Sequence, residues 1–261
     1  MKIGFIGTGD IARAVVTGLD RADYGYTEII VSRRNEATSA DLARNCARVR
    51  VEDDNQRIAD EADMLFLSVR PQVAVEVVSK LRFRPGQIVV SLIGMLTHEH
   101  LRQWTGPDVT IVRAMPLPFV ATCEGPTALC PHNDEVVALF NALGTAIVAE
   151  TNEEMETLVV ASCTMGFYFG LQEVLSDWLG EKGISAENSR AYIDMIYLDL
   201  AKTGAAEKDM SLAALRRAHS TPGGLNEQMH RVFAEHGGHE AMKAALDSVF
   251  ARMSRANPSE G

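Results

Sequence analysis

The first sixteen residues constrain the fold of this chain more than any other stretch. Lys2 to Ile6 is a short apolar run, and Gly7-Thr8-Gly9 follows it directly. From Asp10 to Val16 the apolar residues recur at helical spacing. A strand, a glycine turn and a helix in this order are typical of the fingerprint that binds a dinucleotide.

Each small residue of this fingerprint has a separate task. Gly7 permits the tight turn, Gly9 leaves room for a pyrophosphate beside the backbone, and Ala12 lets the helix pack closely on the strand. The phosphates would lie at the positive end of the helix. A glycine turn without a ligand is the alternative. The residues that we expect at the cofactor here are Gly7, Thr8, Gly9, Asp10, Ile11 and Ala12.

Composition limits the classes of protein that this chain can represent. Its 261 residues, 46% of them hydrophobic, suit one large or two modest soluble domains. A net charge of -10 argues against nucleic acid or an anionic membrane as a general partner. The first apolar run is too short for a signal peptide, and no uninterrupted apolar run has the length of ~18 residues that a membrane span needs. With four scattered cysteines, we expect a reduced, cytoplasmic protein.

The end of the second predicted strand bears on the choice of cofactor. Glu28 to Ser32 reads as a strand, and Arg33 and Arg34 follow it. NAD sites usually place Asp or Glu at this point, whereas arginine suits the 2'-phosphate of NADP. The sequence therefore favours NADP, and two surface arginines without a ligand are the alternative.

The first half of the chain reads as alternating strands and helices. Met64 to Ser68, Ile88 to Leu92 and Val109 to Met115 are apolar runs of the kind that lie in the interior of a parallel sheet. The segment Val69-Arg70-Pro71-Gln72 follows the first of these runs, where a doubly wound fold binds its ligand. We predict an α/β Rossmann-type domain with a mainly parallel sheet over residues 1–150.

The second half reads as helices only. Thr151-Asn152-Glu153-Glu154 has the form of a capping box, and a long apolar helix is predicted from Glu153 to Gly180. A further helix from Ala186 to Lys202 would be stopped by Gly204, and Thr221-Pro222 would cap and begin another. Because the long helix is apolar nearly all round, residues 151–261 are predicted to form an all-α domain that buries it in a homodimer.

Four stretches carry a resemblance to a known family. They are GFIGTGDIARAVVTGL near the start, SVRPQ at the end of the apolar run from Met64 to Ser68, VRAMPLPFVATCEGPTAL, and HSTPGGLNEQMHRVF near the end. Together they resemble the pyrroline-5-carboxylate reductase family over most of the chain. The resemblance implies an NAD(P)-binding domain followed by a helical domain that interlocks into a dimer. It also implies reduction of a cyclic imine that carries a carboxylate, with hydride from the nicotinamide, to make proline.

The resemblance extends the set of expected cofactor contacts. It implies that Ser32 and Arg33 hold the ribose phosphate and that Val69, Pro71 and Gln72 pass beneath the cofactor. The remaining expected contacts are Arg34, Arg70, Met115 and Pro116.

The chain also departs from the family where the substrate would bind. Leu117 stands where the family has asparagine, Met165 and Phe167 replace glycine and alanine, and Asn226 replaces a threonine. These departures favour a changed substrate pocket. The expected substrate contacts are Leu117, Met165, Thr221, Gly223, Gly224 and Asn226.

Imine reduction requires an anion site and a proton for the nitrogen. Backbone N–H groups of Thr221 to Gly224 at a helix start can hold a carboxylate, although an ordinary capped helix start is the alternative. Asn226 can donate an amide hydrogen but has no titratable proton. Tyr168, His219, Ser220 and solvent are the possible proton donors, unless the substrate is already an iminium. We take Asn226, Tyr168 and Ser220 as the catalytic candidates and expect no metal.

Three hypotheses follow from these observations. The first is an NADP-dependent reductase of pyrroline-5-carboxylate or a related cyclic imine, in proline biosynthesis. The second is a reductase of a bulkier or less polar imine. The third is a catalytically idle NADP-binding dimer that acts as a sensor or partner protein.

Overall fold

The computed structural model describes residues 1–256 of the chain. These residues fall into two compact units, one of Met1–Val159 with the chain from Arg252, and one of Val160–Ala251. The division lies a little beyond residue 150, and the boundary predicted there stays a prediction.

The first unit is built on one eight-stranded sheet. Its strands are β1 (Lys2–Ile6), β2 (Glu28–Ser32), β3 (Val49–Glu52), β4 (Met64–Leu67), β5 (Ile88–Ser91), β6 (Thr110–Pro116), β7 (Pro126–Cys130) and β8 (Thr145–Val148). Their order across the sheet is β3-β2-β1-β4-β5-β6-β7-β8. Only the β6–β7 pair is antiparallel within this sheet. The mainly parallel sheet predicted from the sequence is therefore confirmed.

The helices of this unit alternate with its strands over most of the chain, as predicted. They are α1 (Asp10–Arg21), α2 (Glu36–Asn45), α3 (Asn55–Glu61), α4 (Pro71–Val78), α5 (His98–Thr105), α6 (Asp134–Ala142) and α7 (Asn152–Ser162), with a 3-10 turn over Pro118–Thr122. Pro71 is the first residue of α4, a position at which its missing N–H costs no hydrogen bond. The sequence reading missed α3, which is short and buries only Ile58 and Ala59.

Apolar side chains cover both faces of the sheet. Phe5 stacks on Phe66 with ring centroids 4.6 Å apart and belongs to one core. Leu65 and Leu67, the alternate residues of β4, belong to the core on the other face. Because side chains alternate along a strand, a strand buried on both faces must be apolar throughout. This burial explains the uninterrupted apolar sequence of β4.

Of the two hydrogen bonds that make up the predicted capping box, one is present at the start of α7. The Glu154 N–H donates to Thr151 Oγ1 at 3.1 Å. The Glu154 carboxylate, however, accepts from the Glu150 N–H at 2.9 Å, rather than from the N–H of Thr151. The Glu154 side chain thereby satisfies the Glu150 N–H, which lies one residue before the N–H that a capping box would satisfy.

The second unit is helical, as predicted. Its helices are α8 (Thr164–Glu181), α9 (Ala186–Ala206), α10 (Leu212–Ala218), α11 (Leu225–Glu235) and α12 (Gly238–Ala256), the last of which extends past the unit.

Two predicted helix boundaries were wrong, and one long predicted helix contains an interruption. The single helix expected from Glu153 to Gly180 is broken at Cys163, whose N–H donates to the Val160 carbonyl three residues back at 3.0 Å. Gly204 lies inside α9, because a helical glycine costs only about 1 kcal/mol relative to alanine. Thr221 is not an N-cap: Gly224 caps α11, after a turn in which the Gly224 N–H donates to the Thr221 carbonyl at 2.8 Å.

Helices α8 and α9 expose large apolar side chains. Phe169, Val174, Trp178 and Tyr192 are each more than half exposed. Among the described residues, Asn152–Glu181 is the one helical stretch long and apolar enough to cross a membrane by length and composition, and 11% of its most apolar window is buried. A single such stretch is weak evidence for a membrane span, since a helix that packs in a protein core passes the same test.

Candidate functional site

A cavity opens in the first unit at the carboxyl ends of β1, β2 and β4. It has a volume of about 450 Å³. The chain order reverses at β1, which lies between β2 and β4, so this is the topological switch point at which such sheets bind ligands. Its lining residues are Gly7, Thr8, Gly9, Arg34, Asn35, Glu36, Ser68, Val69, Arg70 and Val73.

Gly7 makes the turn that leaves β1. Its φ is +97°, and a Cβ atom there would lie 2.3 Å from the carbonyl oxygen of Ser68. The Gly7 N–H donates to the Ser32 hydroxyl at 2.8 Å. Position 7 therefore requires glycine for both conformation and space.

Gly9 provides an open cradle above the start of α1. It is the N-cap of α1 and offers no side-chain cap to the first turn. Apart from Gly9 and its two chain neighbours, no residue has an atom within 4 Å of the point where its Cβ would be. Together with the buried Ala12, this arrangement leaves backbone N–H groups for an anion, and it fits the pyrophosphate of a dinucleotide.

Thr8 connects the glycine turn to the segment after β2. Its hydroxyl donates to the Ser32 carbonyl at 3.2 Å and accepts from the Asn35 N–H at 3.3 Å. Ser32 itself is buried and does not line the cavity. In this structure the Ser32 hydroxyl supports the turn, which differs from the direct contact with a ribose phosphate expected for it.

The two arginines after β2 have different surroundings. The Arg33 Nε is hydrogen-bonded to the Asp53 carboxylate, and Glu36 Oε1 lies 3.9 Å from the same guanidinium. The Asp53 bond raises the pKa of Arg33. Arg34 instead lines the cavity and has no ion-pair partner within residues 1–256. Of the two arginines, Arg34 therefore belongs to the cavity lining and Arg33 does not.

The segment after β4 supplies the opposite wall. Val69 and Arg70 line the cavity, and Arg70 is the N-cap of α4. Pro71 and Gln72, like Asp10 and Ile11 on α1, do not belong to the lining.

Four lining residues were missed in the sequence reading. Ser68 and Val73 flank the predicted segment after β4, and Asn35 and Glu36 follow the predicted arginines. Their position at the carboxyl edge of the sheet was the signal that could have identified them.

The end of β6 contributes no residue to this cavity lining. Pro116 pairs with Thr127 in the antiparallel ladder, and Met115 packs against the small core that contains Met155. Leu117 follows as the N-cap of the 3-10 turn. Met115, Pro116 and Leu117 are consecutive in the chain, and none of them belongs to the cavity lining at the glycine turn.

Arg113 on β6 is a buried cation that the sequence reading did not single out. It is 2% exposed, and its Nη1 donates to Asn152 Oδ1 at 2.8 Å. Burial lowers its pKa, an effect that the charge of Glu156 opposes. The contact ties β6 to the first residue of α7.

In the second unit, the Thr221–Gly224 turn uses its own backbone donors. The Gly223 N–H donates to Glu227 Oε2 at 2.7 Å, and the Gly224 N–H donates to the Thr221 carbonyl. The Asn226 amide donates to the His219 carbonyl at 2.7 Å. Two of the N–H groups expected to be exposed here, those of Gly223 and Gly224, are thus engaged within the chain, and a carboxylate that binds the Gly223 N–H would have to displace Glu227.

The remaining catalytic candidates belong to the same unit, Tyr168 as an exposed residue of α8 and Ser220 as a partly buried residue after α10. Ser220 Oγ donates to the Arg216 carbonyl at 2.8 Å. Tyr168 packs edge to face against Tyr197, with ring centroids 5.4 Å apart, and Met165 is partly exposed three residues earlier on α8. Within residues 1–256, no group of three metal-ligating side chains is found.

Family comparisons cover both halves of the chain. Residues 2–94 match the family described as NADP oxidoreductase, coenzyme F420-dependent, and residues 143–256 match the pyrroline-5-carboxylate reductase dimerisation family. The pyrroline-5-carboxylate reductase of Vibrio alginolyticus is 26% identical over 96% of each chain. The Pseudomonas aeruginosa enzyme of the same name is 26% identical over 96% of this chain and 95% of its own.

Solved structures agree with these matches. A pyrroline-5-carboxylate reductase from Coxiella burnetii superposes with a TM-score of 0.83 at 25% identity, covering 98% of both chains. The Plasmodium falciparum pyrroline carboxylate reductase, solved with NADP bound, gives 0.84 at 18% identity over 98% of both chains. The matches support Rossmann-type NAD(P) binding and homo-oligomerisation. Residues 143–256 thus carry the pyrroline-5-carboxylate reductase dimerisation domain, and the chain is similar to pyrroline-5-carboxylate reductases over nearly its whole length.

Proposed function

We propose that the protein uses NADPH to reduce the C=N bond of a small cyclic imine, with pyrroline-5-carboxylate as the first candidate and proline as its product. The observation that carries the proposal is the open cradle at Gly9 beside Arg34 and Arg70 in one cavity. The relatives named pyrroline-5-carboxylate reductase, which align over nearly the whole chain, support the choice of substrate.

The residues of this chain orient the reaction. The N–H groups at the start of α1 would bind the pyrophosphate, and Arg34 and Arg70 would balance phosphate charge. When bound, NADPH supplies a hydride for the C=N carbon. The nitrogen takes a proton, so that the products are a cyclic amine and NADP⁺. An iminium substrate brings this proton itself, whereas a neutral imine would take it from Tyr168 or from solvent.

The preference for NADP rests on Arg34 in this proposal. Arg34→Gln should weaken NADPH binding by about tenfold and change NADH binding less than about twofold, because only NADPH carries the 2'-phosphate. Arg44→Gln on α2 is the matched control, since Arg44 is exposed and pairs with Asp41 outside the cavity lining. Equal losses for both cofactors would contradict this assignment.

We also propose a homodimer through the helical second unit, in a cytoplasmic protein. The exposed apolar faces of α8 and α9 support this proposal, because surfaces of this kind are costly in water. Val174→Asp should lower the molar mass measured by light scattering. Val75→Asp is the control on α4, since Val75 is 58% exposed and Val174 is 68% exposed. An unchanged mass in Val174→Asp would argue against α8 as the contact.

A second candidate is a cyclic imine without a carboxylate. The Glu227 carboxylate favours this candidate. It already accepts the Gly223 N–H in the turn predicted to bind the substrate, so a substrate carboxylate would have to compete with it for that N–H.

A substrate panel tests both candidates. The purified protein is mixed with NADPH and either pyrroline-5-carboxylate, 1-pyrroline or a 2-keto acid, and the loss of NADPH absorbance is followed. Turnover of a cyclic imine alone is the expected result. NADPH binding in calorimetry without any turnover would instead indicate the idle binding protein.

A further inference from the structure

Asp53 pairs with Arg33, although Arg33 follows β2 and Asp53 follows β3. It follows β3, and its carboxylate accepts a hydrogen bond from Arg33 Nε. The backbone joins the two segments as well, since the Arg33 N–H donates to the Glu52 carbonyl at 3.2 Å. The Arg33 side chain is therefore held towards the β3 end of the sheet.

Asp53 does not belong to the lining of the glycine cavity. Asp53 lines a separate hollow of about 580 Å³ together with residues of α3 and α4. Arg34 lines the cavity with the glycine turn, and Arg33 does not. Consecutive arginines are thus divided: one faces the cofactor cavity, and the other is paired outside its lining.

Two carboxylates beside the Arg33 guanidinium would repel a ribose phosphate bound there. Asp53 pairs with Arg33, and Glu36, which lines the cavity, lies 3.9 Å from the Arg33 guanidinium. A ribose 2'-phosphate would be attracted by the arginines and repelled by both carboxylates, whereas the 2'-hydroxyl of NADH would be nearly indifferent to them.

We propose that Asp53 is a specificity-determining residue that holds Arg33 away from the ribose phosphate and so limits the preference for NADPH over NADH. This inference rests on the proposed use of the glycine cavity by a nicotinamide dinucleotide. Because the pair is largely exposed, with side chains 52% and 69% accessible, its effect on binding is modest, up to about fivefold.

The test is Asp53→Asn, with dissociation constants for NADPH and NADH measured by calorimetry at low salt. NADPH should bind about three- to fivefold more tightly, while NADH should change by less than about twofold. Asp108→Asn is the control, because it removes the same charge from a residue that precedes β6, at the amino end of that strand, whereas Asp53 follows the carboxyl end of β3. Asp53→Ala is a second variant, and thermal melting checks that each protein is folded.

Arg33 provides the coupling test. Arg33→Gln alone should change NADPH binding by less than about twofold, whereas in the Asp53→Asn background it should remove the gain. The proposal is overturned if Asp53→Asn behaves like Asp108→Asn, or if the gain survives without Arg33. Failure of wild type to bind either cofactor would overturn both this inference and the proposed function. Cofactor binding without imine turnover would count against the function alone.

Discussion

The backbone N–H of Gly7 donates a 2.8 Å hydrogen bond to the hydroxyl of Ser32, which joins the turn after β1 to the end of β2. Both residues are buried. Ser32→Ala should lower the free energy of unfolding by about 1–2 kcal/mol, because it leaves a buried N–H without a partner.

Denaturant unfolding measures this loss, and Ser39→Ala is the matched control. Ser39 is equally buried, but its hydroxyl donates at 3.2 Å to the Glu36 carbonyl within the same helix. The control should cost less than about 0.5 kcal/mol, since a helix carbonyl retains its backbone partner. Equal losses in the two variants would show that the Gly7–Ser32 bond contributes nothing specific.

The two glycines of the turn should respond differently to alanine. Gly7→Ala should destabilise the protein by about 3 kcal/mol or more, because φ is +97° and the Cβ would meet the Ser68 carbonyl oxygen. Gly9→Ala should change stability by less than about 0.5 kcal/mol, yet weaken NADPH binding by about tenfold by filling the cradle. Denaturant unfolding and calorimetry on both variants check this contrast. A Gly9→Ala variant that binds NADPH like wild type would contradict the assigned pyrophosphate position.

Glu227 should discriminate against a carboxylated substrate. Its carboxylate accepts the Gly223 N–H at 2.7 Å and would both compete with and repel a substrate carboxylate. Glu227→Gln should therefore raise kcat/KM for pyrroline-5-carboxylate by about tenfold, mainly through KM, and change that for 1-pyrroline by less than about twofold. Steady-state kinetics on both substrates measure the change.

Glu235→Gln on the same helix is the control for this experiment, since Glu235 pairs with Arg231 at 2.9 Å. A similar gain for both substrates, or a gain in the control, would show that Glu227 does not face the substrate carboxylate.

Tyr26 should make the protein less stable at alkaline pH. Burial, and then the Asp20 carboxylate, raise the pKa of Tyr26 to about 12. The native state therefore holds this proton more tightly than the unfolded chain, whose tyrosine pKa is about 10. The stabilisation is present below about pH 10 and is lost as the pH rises to about 12, with a total change of about 2 kcal/mol.

Urea unfolding at about pH 8 and about pH 11 compares wild type with Tyr26→Phe, which should lose about 1 kcal/mol less over that interval. Tyr192→Phe serves as the control because Tyr192 is exposed. If Tyr26→Phe and wild type lose the same stability, the tyrosine does not carry the effect.

Much of the first unit could be predicted because its signals are local. Glu28–Ser32 has the predicted bounds, and Met64–Leu67 is apolar because both of its faces are buried. The glycine turn also has a local cause, namely the positive φ of Gly7. By contrast, α3 was missed because it offers only two buried residues to a periodicity argument.

The different surroundings of Arg33 and Arg34 could not be predicted. It depends on Asp53, twenty residues further along the chain, which pairs with Arg33 only because β2 and β3 lie side by side. Similarly, the Thr221–Gly224 turn resembles a helix start in sequence, whereas its hydrogen bonds delay the helix to Leu225. The substrate contacts of Leu117, Met165 and Asn226 stay predictions.

The most direct test of the account is the transfer of hydride to an imine carbon. The protein would be incubated with pyrroline-5-carboxylate or 1-pyrroline and NADPH deuterated at the transferable position, and the amine product would be analysed by mass spectrometry and NMR. The account predicts a cyclic amine with a single deuterium on the carbon of the former C=N bond. Absence of deuterated amine with both imines, under conditions where NADPH binds, would contradict it.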